Sequence, residues 1–143
     1  MRKISLKLAA ISLAVIVAVV ICFHLIVVSG IIPYTIVWGG RLENRSQMLI
    51  FEGVSIAVNG FILWLTAQRA NWLSARLSPK LVSLLFWALA ILFMLNTVGN
   101  LLAKASLETY LFTPLTFISA LLCIRLALKD QERAKPLATN TSR

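Results

Sequence analysis

Four long apolar runs, parted by short polar stretches, make up most of the chain. The first, 8–28, is broken only by Ser12, Cys22 and His24; the others cover about 48–67, 81–101 and 109–128. About 20 residues of α-helix cross the hydrocarbon core of a bilayer, so each run is long enough to span it. Ser78-Pro79 reads as the start of the third helix, because proline costs nothing in a first turn whose N–H groups have no intrahelical partner. Arg2, Lys3 and Lys7 raise the alternative of a cleaved signal peptide. The first run exceeds the usual signal core of about 7–15 residues, and no clean small-residue cleavage site follows it, so it is read as an uncleaved span.

The connections carry the orientation. Basic residues gather before the first run (Arg2, Lys3, Lys7), in the middle loop (Arg69, Arg76, Lys80) and at the C-terminal end (Arg125, Lys129, Arg133, Lys135, Arg143), against Arg41, Arg45 and Lys104 in the other two loops. By the positive-inside rule both termini face the cytoplasm. Residues 29–47 are of mixed character. Ile31, Ile32, Pro33, Tyr34, Ile36, Val37 and Trp38 are too apolar for a solvated loop and too short to span, and Gly39-Gly40 then breaks the segment. An interfacial stretch with Tyr34 and Trp38 at headgroup level is expected, or a re-entrant one if other helices bury its backbone. The expected fold is therefore all-α: a four-helix transmembrane bundle over 1–128, N-in/C-in, with a disordered cytoplasmic tail over 129–143.

Composition agrees, and it removes several function classes. The chain is 59% hydrophobic and 13% charged, far from the soluble norm of about 45–50% and about 25%, and its mean hydropathy is +0.88. A net charge of +9 in a soluble protein would point to nucleic acid. Here the charges cap apolar segments, and no basic patch alternates with exposed aromatics as a strand-binding groove needs. Cys22 and Cys123 form no CxxC, so neither a zinc site nor a dithiol redox pair is available. The single histidine excludes haem held by two histidines within this chain. No catalytic motif, metal site or cofactor is expected.

The polar residues inside the runs are the candidate chemistry, because such groups are costly in a membrane. At about 1.5 Å rise per residue, His24, Glu52, Asn96 and Thr113 all fall roughly 8–9 Å outward of their span centres, one on each helix. Glu52, Ser55 and Asn59 share a helix face, as do Asn96 and Asn100, and Thr109, Thr113 and Thr116. Arg41 and Arg45 lie on the loop above. Gly53, Ala57 and Gly60 are small enough to let another helix approach. Two readings follow. In one, the polar groups fasten the bundle, with Glu52 paired to Arg41 or Arg45, or protonated. In the other, Glu52, Asn96, Asn100, Arg41, His24, Asn59 and Thr113 line an outward-facing pocket for a small ligand.

The segments Ile32-Pro33-Tyr34-Thr35-Ile36-Val37-Trp38-Gly39-Gly40-Arg41-Leu42, Met48-Leu49-Ile50-Phe51-Glu52 and Leu95-Asn96-Thr97-Val98-Gly99-Asn100 resemble those of a group of small, uncharacterised bacterial four-span membrane proteins of about this length. The resemblance covers nearly the whole chain and implies residence in the bacterial cytoplasmic membrane, without an activity. Three functions follow as expectations. The first is a non-enzymatic accessory or interaction protein, with lipid and either a further copy of itself or another membrane protein as partners. The second is a small transporter or ligand-binding bundle around Glu52. The third is a membrane-embedded enzyme using His24 and Glu52 on a lipid-like substrate.

Overall fold

The computed structural model describes residues 4–74, 77–103 and 108–128. It contains four α-helices, α1 (Leu6–Ser29), α2 (Arg45–Arg69), α3 (Pro79–Leu101) and α4 (Thr113–Ala127), and no strand among the described residues. A π-helical turn, Glu108–Phe112, leads into α4, and two short 3-10 turns, Tyr34–Ile36 and Trp38–Gly40, lie between α1 and α2. All four helices, α4 counted from Thr109, are long and apolar enough to cross a bilayer, as a multi-pass membrane protein requires. The expected tail, 129–143, lies outside the described residues.

Three helices begin on a side chain that answers an otherwise unpaired backbone N–H. Ser5 Oγ accepts from Leu8 N at 3.1 Å, and Ser78 Oγ accepts from Leu81 N at 3.3 Å. Asn44 Oδ1 accepts from Gln47 N at 2.9 Å, and the Gln47 side chain reciprocates by accepting from Glu43 N at 3.0 Å. The fourth helix starts differently. Its Pro114 can donate no hydrogen bond to the turn before it, and the Thr116 hydroxyl lies against Phe112 O at 2.8 Å and Thr113 O at 3.1 Å.

Packing runs in one direction around the bundle. α1 lies along both α2 and α4, and α4 lies along α3, whereas α2 and α3 do not pack along each other. The main core fills the end that carries the termini, where Leu13, Leu65, Phe86 and Leu126 are fully buried. Polar staples close that end. Arg69 donates to Leu126 O at 2.7 Å and to Leu128 O at 2.8 Å, Ser83 donates to Ala127 O at 2.5 Å, and Arg125 donates to Ile4 O at 2.6 Å. The last carbonyls of α4, which no helix bond can satisfy, are thereby tied to α2 and α3. A smaller core of Val27, Val37, Leu42 and Met48, with Phe23, Ile32 and Tyr34 against it, seals the opposite end and holds the 30–44 connection to the bundle.

One expectation about packing is corrected. Gly53, Ala57 and Gly60 do not admit a neighbouring helix; all three are exposed, and a methyl added at Gly53 or Gly60 would touch nothing within 4 Å. The reason is rotational. Successive helix residues are about 100° apart, so turning Glu52 fully inward carries Gly53 outward. Large apolar side chains, among them Val19, Ile50, Ile91 and Leu95, cover the outside of the bundle. Such a surface is far larger than the apolar patches that soluble monomers expose; it suits lipid.

Candidate functional site

Glu52 is 0% exposed, in the second turn of α2, where the antiparallel α1 passes it. An unpartnered polar group at such a position costs several kcal/mol. Two side chains answer it. His24 Nδ1 lies 2.5 Å from Glu52 Oε2, and Trp38 Nε1 donates to Glu52 Oε1 at 2.9 Å. With Nδ1 committed to the carboxyl group, Nε2 is the ring atom left facing other chemistry.

The third member of this triad comes from the connection, not from a helix. Trp38 has φ 56°, and Gly39 and Gly40 each have φ 68°, three left-handed residues in succession. Glycine adopts that conformation freely, but a tryptophan pays about 1–2 kcal/mol for it. The strain is offset where the indole lands, on the Glu52 carboxyl group and edge-on to Phe51 with ring centroids 5.0 Å apart. Gly40 has a second constraint, since a side chain there would sit 3.3 Å from Thr35 O.

A second polar group faces this triad from α3 and α4. Thr97 donates to Thr116 Oγ1 at 2.9 Å, Asn100 Nδ2 to the same hydroxyl at 3.4 Å, and Thr109 to Asn100 O at 3.1 Å. Phe23 of α1 meets Phe112 edge-on at 5.0 Å and joins the two halves. Between triad and ladder lies a cavity of about 330 Å³, whose walls mix His24, Trp38, Glu52, Asn59, Asn96 and Asn100 with Val17, Val58, Leu92 and Phe93.

The residues singled out from the sequence divide accordingly. Glu52, His24, Asn59, Asn96 and Asn100 line the cavity, and Arg41 and Thr113 do not. Arg41 is exposed on the connection; Thr113 is half-buried, its hydroxyl enclosed and without a hydrogen-bond partner among the described residues. Glu52 therefore meets His24 and Trp38 where an arginine partner was one expectation. The single polar layer read from depth alone resolves into two clusters on opposite walls. Trp38 was read only as a belt residue. Its signal was the Gly-Gly pair directly after it, which marks a backbone bent for a purpose.

Comparison with protein-family models, with curated proteins and with solved structures returns no match. Fold and site still define a class: a four-helix bundle of membrane-spanning length, with a buried glutamate held by an imidazole and an indole on the wall of a cavity between the helices.

Proposed function

We propose that the protein is a multi-pass protein of the bacterial cytoplasmic membrane, with both termini in the cytoplasm, whose bundle binds a small ligand beside Glu52. The orientation rests on the Lys and Arg distribution. The 30–44 connection is then an interfacial strap across the outer end, anchored through Val37 and Leu42. The observation that carries ligand binding is the position of the buried Glu52 triad on the wall of a cavity of about 330 Å³, within the size range of ligand sites. Polar residues that merely fasten helices need no such space. The cavity therefore favours this reading over the accessory or assembly subunit, which the sequence suggested first.

The test is a thermal-shift series on the purified full chain in detergent, with small amphiphiles of four kinds: alcohols, phenols, amines and carboxylates. A ligand at about 100 times its Kd stabilises the folded state by about 2.7 kcal/mol. At least one kind raises the Tm of the wild type and of Arg41→Ala, which lies off the wall, but not of Glu52→Gln. Equal shifts in Glu52→Gln and wild type for every kind would sink the proposal.

One observation favours a second reading, a membrane-embedded enzyme acting on a lipid-like substrate. The contact of His24 Nδ1 with Glu52 is the arrangement that orients an imidazole for proton transfer at Nε2. Its test is turnover in liposomes. Conversion of a lipid-soluble substrate by wild type and not by His24→Gln supports it, and equal conversion by both removes it.

A further inference from the structure

The cavity is closed toward the two ends of the bundle and open at its side. At the end that bears the connection, Val37 (4% exposed) and the rest of the small core pack over it, and Trp38, 37% exposed at its outer side, is tied down to Glu52. At the end that bears the termini, the main core and the arginine staples close it. Between α2 and α3, which do not pack along each other, the wall residues are also outer-surface residues: Val54 is 58% exposed, Val58 38% and Leu92 40%. Asn96, exposed at this same edge, has an amide without a hydrogen-bond partner among the described residues. An unsatisfied amide on a membrane-spanning helix is costly, so its position calls for a polar group from outside the chain.

The wall chemistry narrows what that group is. None of the lining residues among those described is Lys or Arg, so a carboxylate or phosphate entering the cavity would lose its water without gaining a lysine or arginine partner there. Glu52 has no exposed surface and each of its oxygens already has a partner, so an amine would have to displace His24 or Trp38 to reach it. Among the described residues, the wall groups without a hydrogen-bond partner include both donors and acceptors, among them the Asn96 amide, the Asn59 carbonyl oxygen (its Nδ2 donates to Ser55 O at 2.8 Å) and His24 Nε2. A hydroxyl, which both donates and accepts, matches that set. The cavity stands at the small end of the ligand-site range and would hold a head and the first part of a chain, the remainder lying in the gap.

We infer that the site takes a neutral, lipid-soluble alcohol or phenol, which enters from the bilayer between α2 and α3 and places its hydroxyl among Asn96, Asn59 and His24, the ring that Glu52 holds in place. This rests on the ligand-binding reading above and adds the ligand's class and its route.

Full-length protein in phosphatidylcholine liposomes is photolabelled with three diazirine probes that carry the photoreactive group next to the head: a long-chain alcohol, the carboxylate of the same chain, and a short, water-soluble alcohol. Label is mapped by peptide mass spectrometry at Val58, Asn59, Phe93 and Asn96, with lipid-facing Val19 as the reference. The long-chain alcohol labels the cavity residues saturably. The paired substitution Val58→Trp with Leu92→Trp, at exposed positions that spare the core, lowers that labelling about tenfold, the equivalent of about 1.4 kcal/mol, and leaves Val19 unchanged. Labelling by the short alcohol alone overturns the lateral route while ligand binding stands. Equal labelling by the carboxylate overturns the hydroxyl head. Cavity labelling no greater than at Val19 with all three probes overturns the ligand-binding reading itself.

Discussion

Glu52 decides more than any other single residue. Its burial sets the rotation of α2, and its two oxygens meet a partner from α1 and a donor from the connection. The consequence of removing a partner follows from what is left unpaired. Trp38→Phe keeps the ring against Phe51 and deletes the N–H, so Glu52 Oε1 loses its donor; a cost of about 1–3 kcal/mol is expected, read as a lower unfolding midpoint in detergent. Glu52→Leu strands both the indole N–H and the imidazole, and should cost more than Trp38→Phe. Glu52→Gln keeps an acceptor for Trp38 and should cost least of the three. A Glu52→Leu protein as stable as wild type would show that the triad does not hold the bundle. Gly40 is a second informative position. Gly40→Ala, at φ 68° and 3.3 Å from Thr35 O, should destabilise by about 1–2 kcal/mol.

Helices and their connections show how the two clusters arise. α1 and α2 are joined across the bundle by the acid–imidazole contact, and α3 and α4 by the Thr97–Thr116 hydroxyl pair. Contacts of the latter kind in membrane bundles are worth about 0.6 kcal/mol on average. Thr116→Val should therefore loosen α3 from α4 by roughly that amount, detectable as a small drop in unfolding midpoint without loss of helix content. The exposed face of α2 makes the opposite prediction. Gly53→Ala adds a methyl that meets nothing within 4 Å and removes a helix-interior glycine, worth about 0.5–1 kcal/mol in favour of the helix. A loss of stability in that variant would mean that another helix covers this face.

For the molecule as a whole, the partner of greatest consequence is the solvent. Helices that bury so little of their apolar surface against one another cannot be accounted for by water, and a bilayer supplies what covers the rest. Direction across that bilayer is then set by charge. A reporter active only in the cytoplasm, fused after Arg143, should be active, and the same reporter inserted in the 30–44 connection should be silent. The reverse pattern would overturn the orientation. The bundle's open side also depends on the whole chain, since it exists only because α1 and α4 pair centrally and leave α2 and α3 apart.

How much of this was legible in the chain depends on the range of the interaction concerned. Four helices of spanning length follow from apolar runs alone, because in lipid each helix must satisfy its own backbone and needs no neighbour to do so. Ser78 as a helix start was legible for the same local reason; Ser5 and Asn44 act by the same rule but were not singled out. Glu52, His24, Asn59, Asn96 and Asn100 stood out because a polar residue in an apolar run is conspicuous wherever the chain folds. Their partners were not legible. Whether Glu52 meets an arginine, a histidine or an indole depends on helix rotation and on three left-handed residues in a connection, and neither leaves a periodic trace. The same holds for the outward turn of Gly53, the absence of Arg41 and Thr113 from the cavity wall, and the gap between α2 and α3. Composition and spacing by themselves determined the four runs and the level of their polar residues. Only the tertiary structure decided which of those residues touch, because a helix places a side chain at a depth by its position in the run but at an azimuth only by what it packs against.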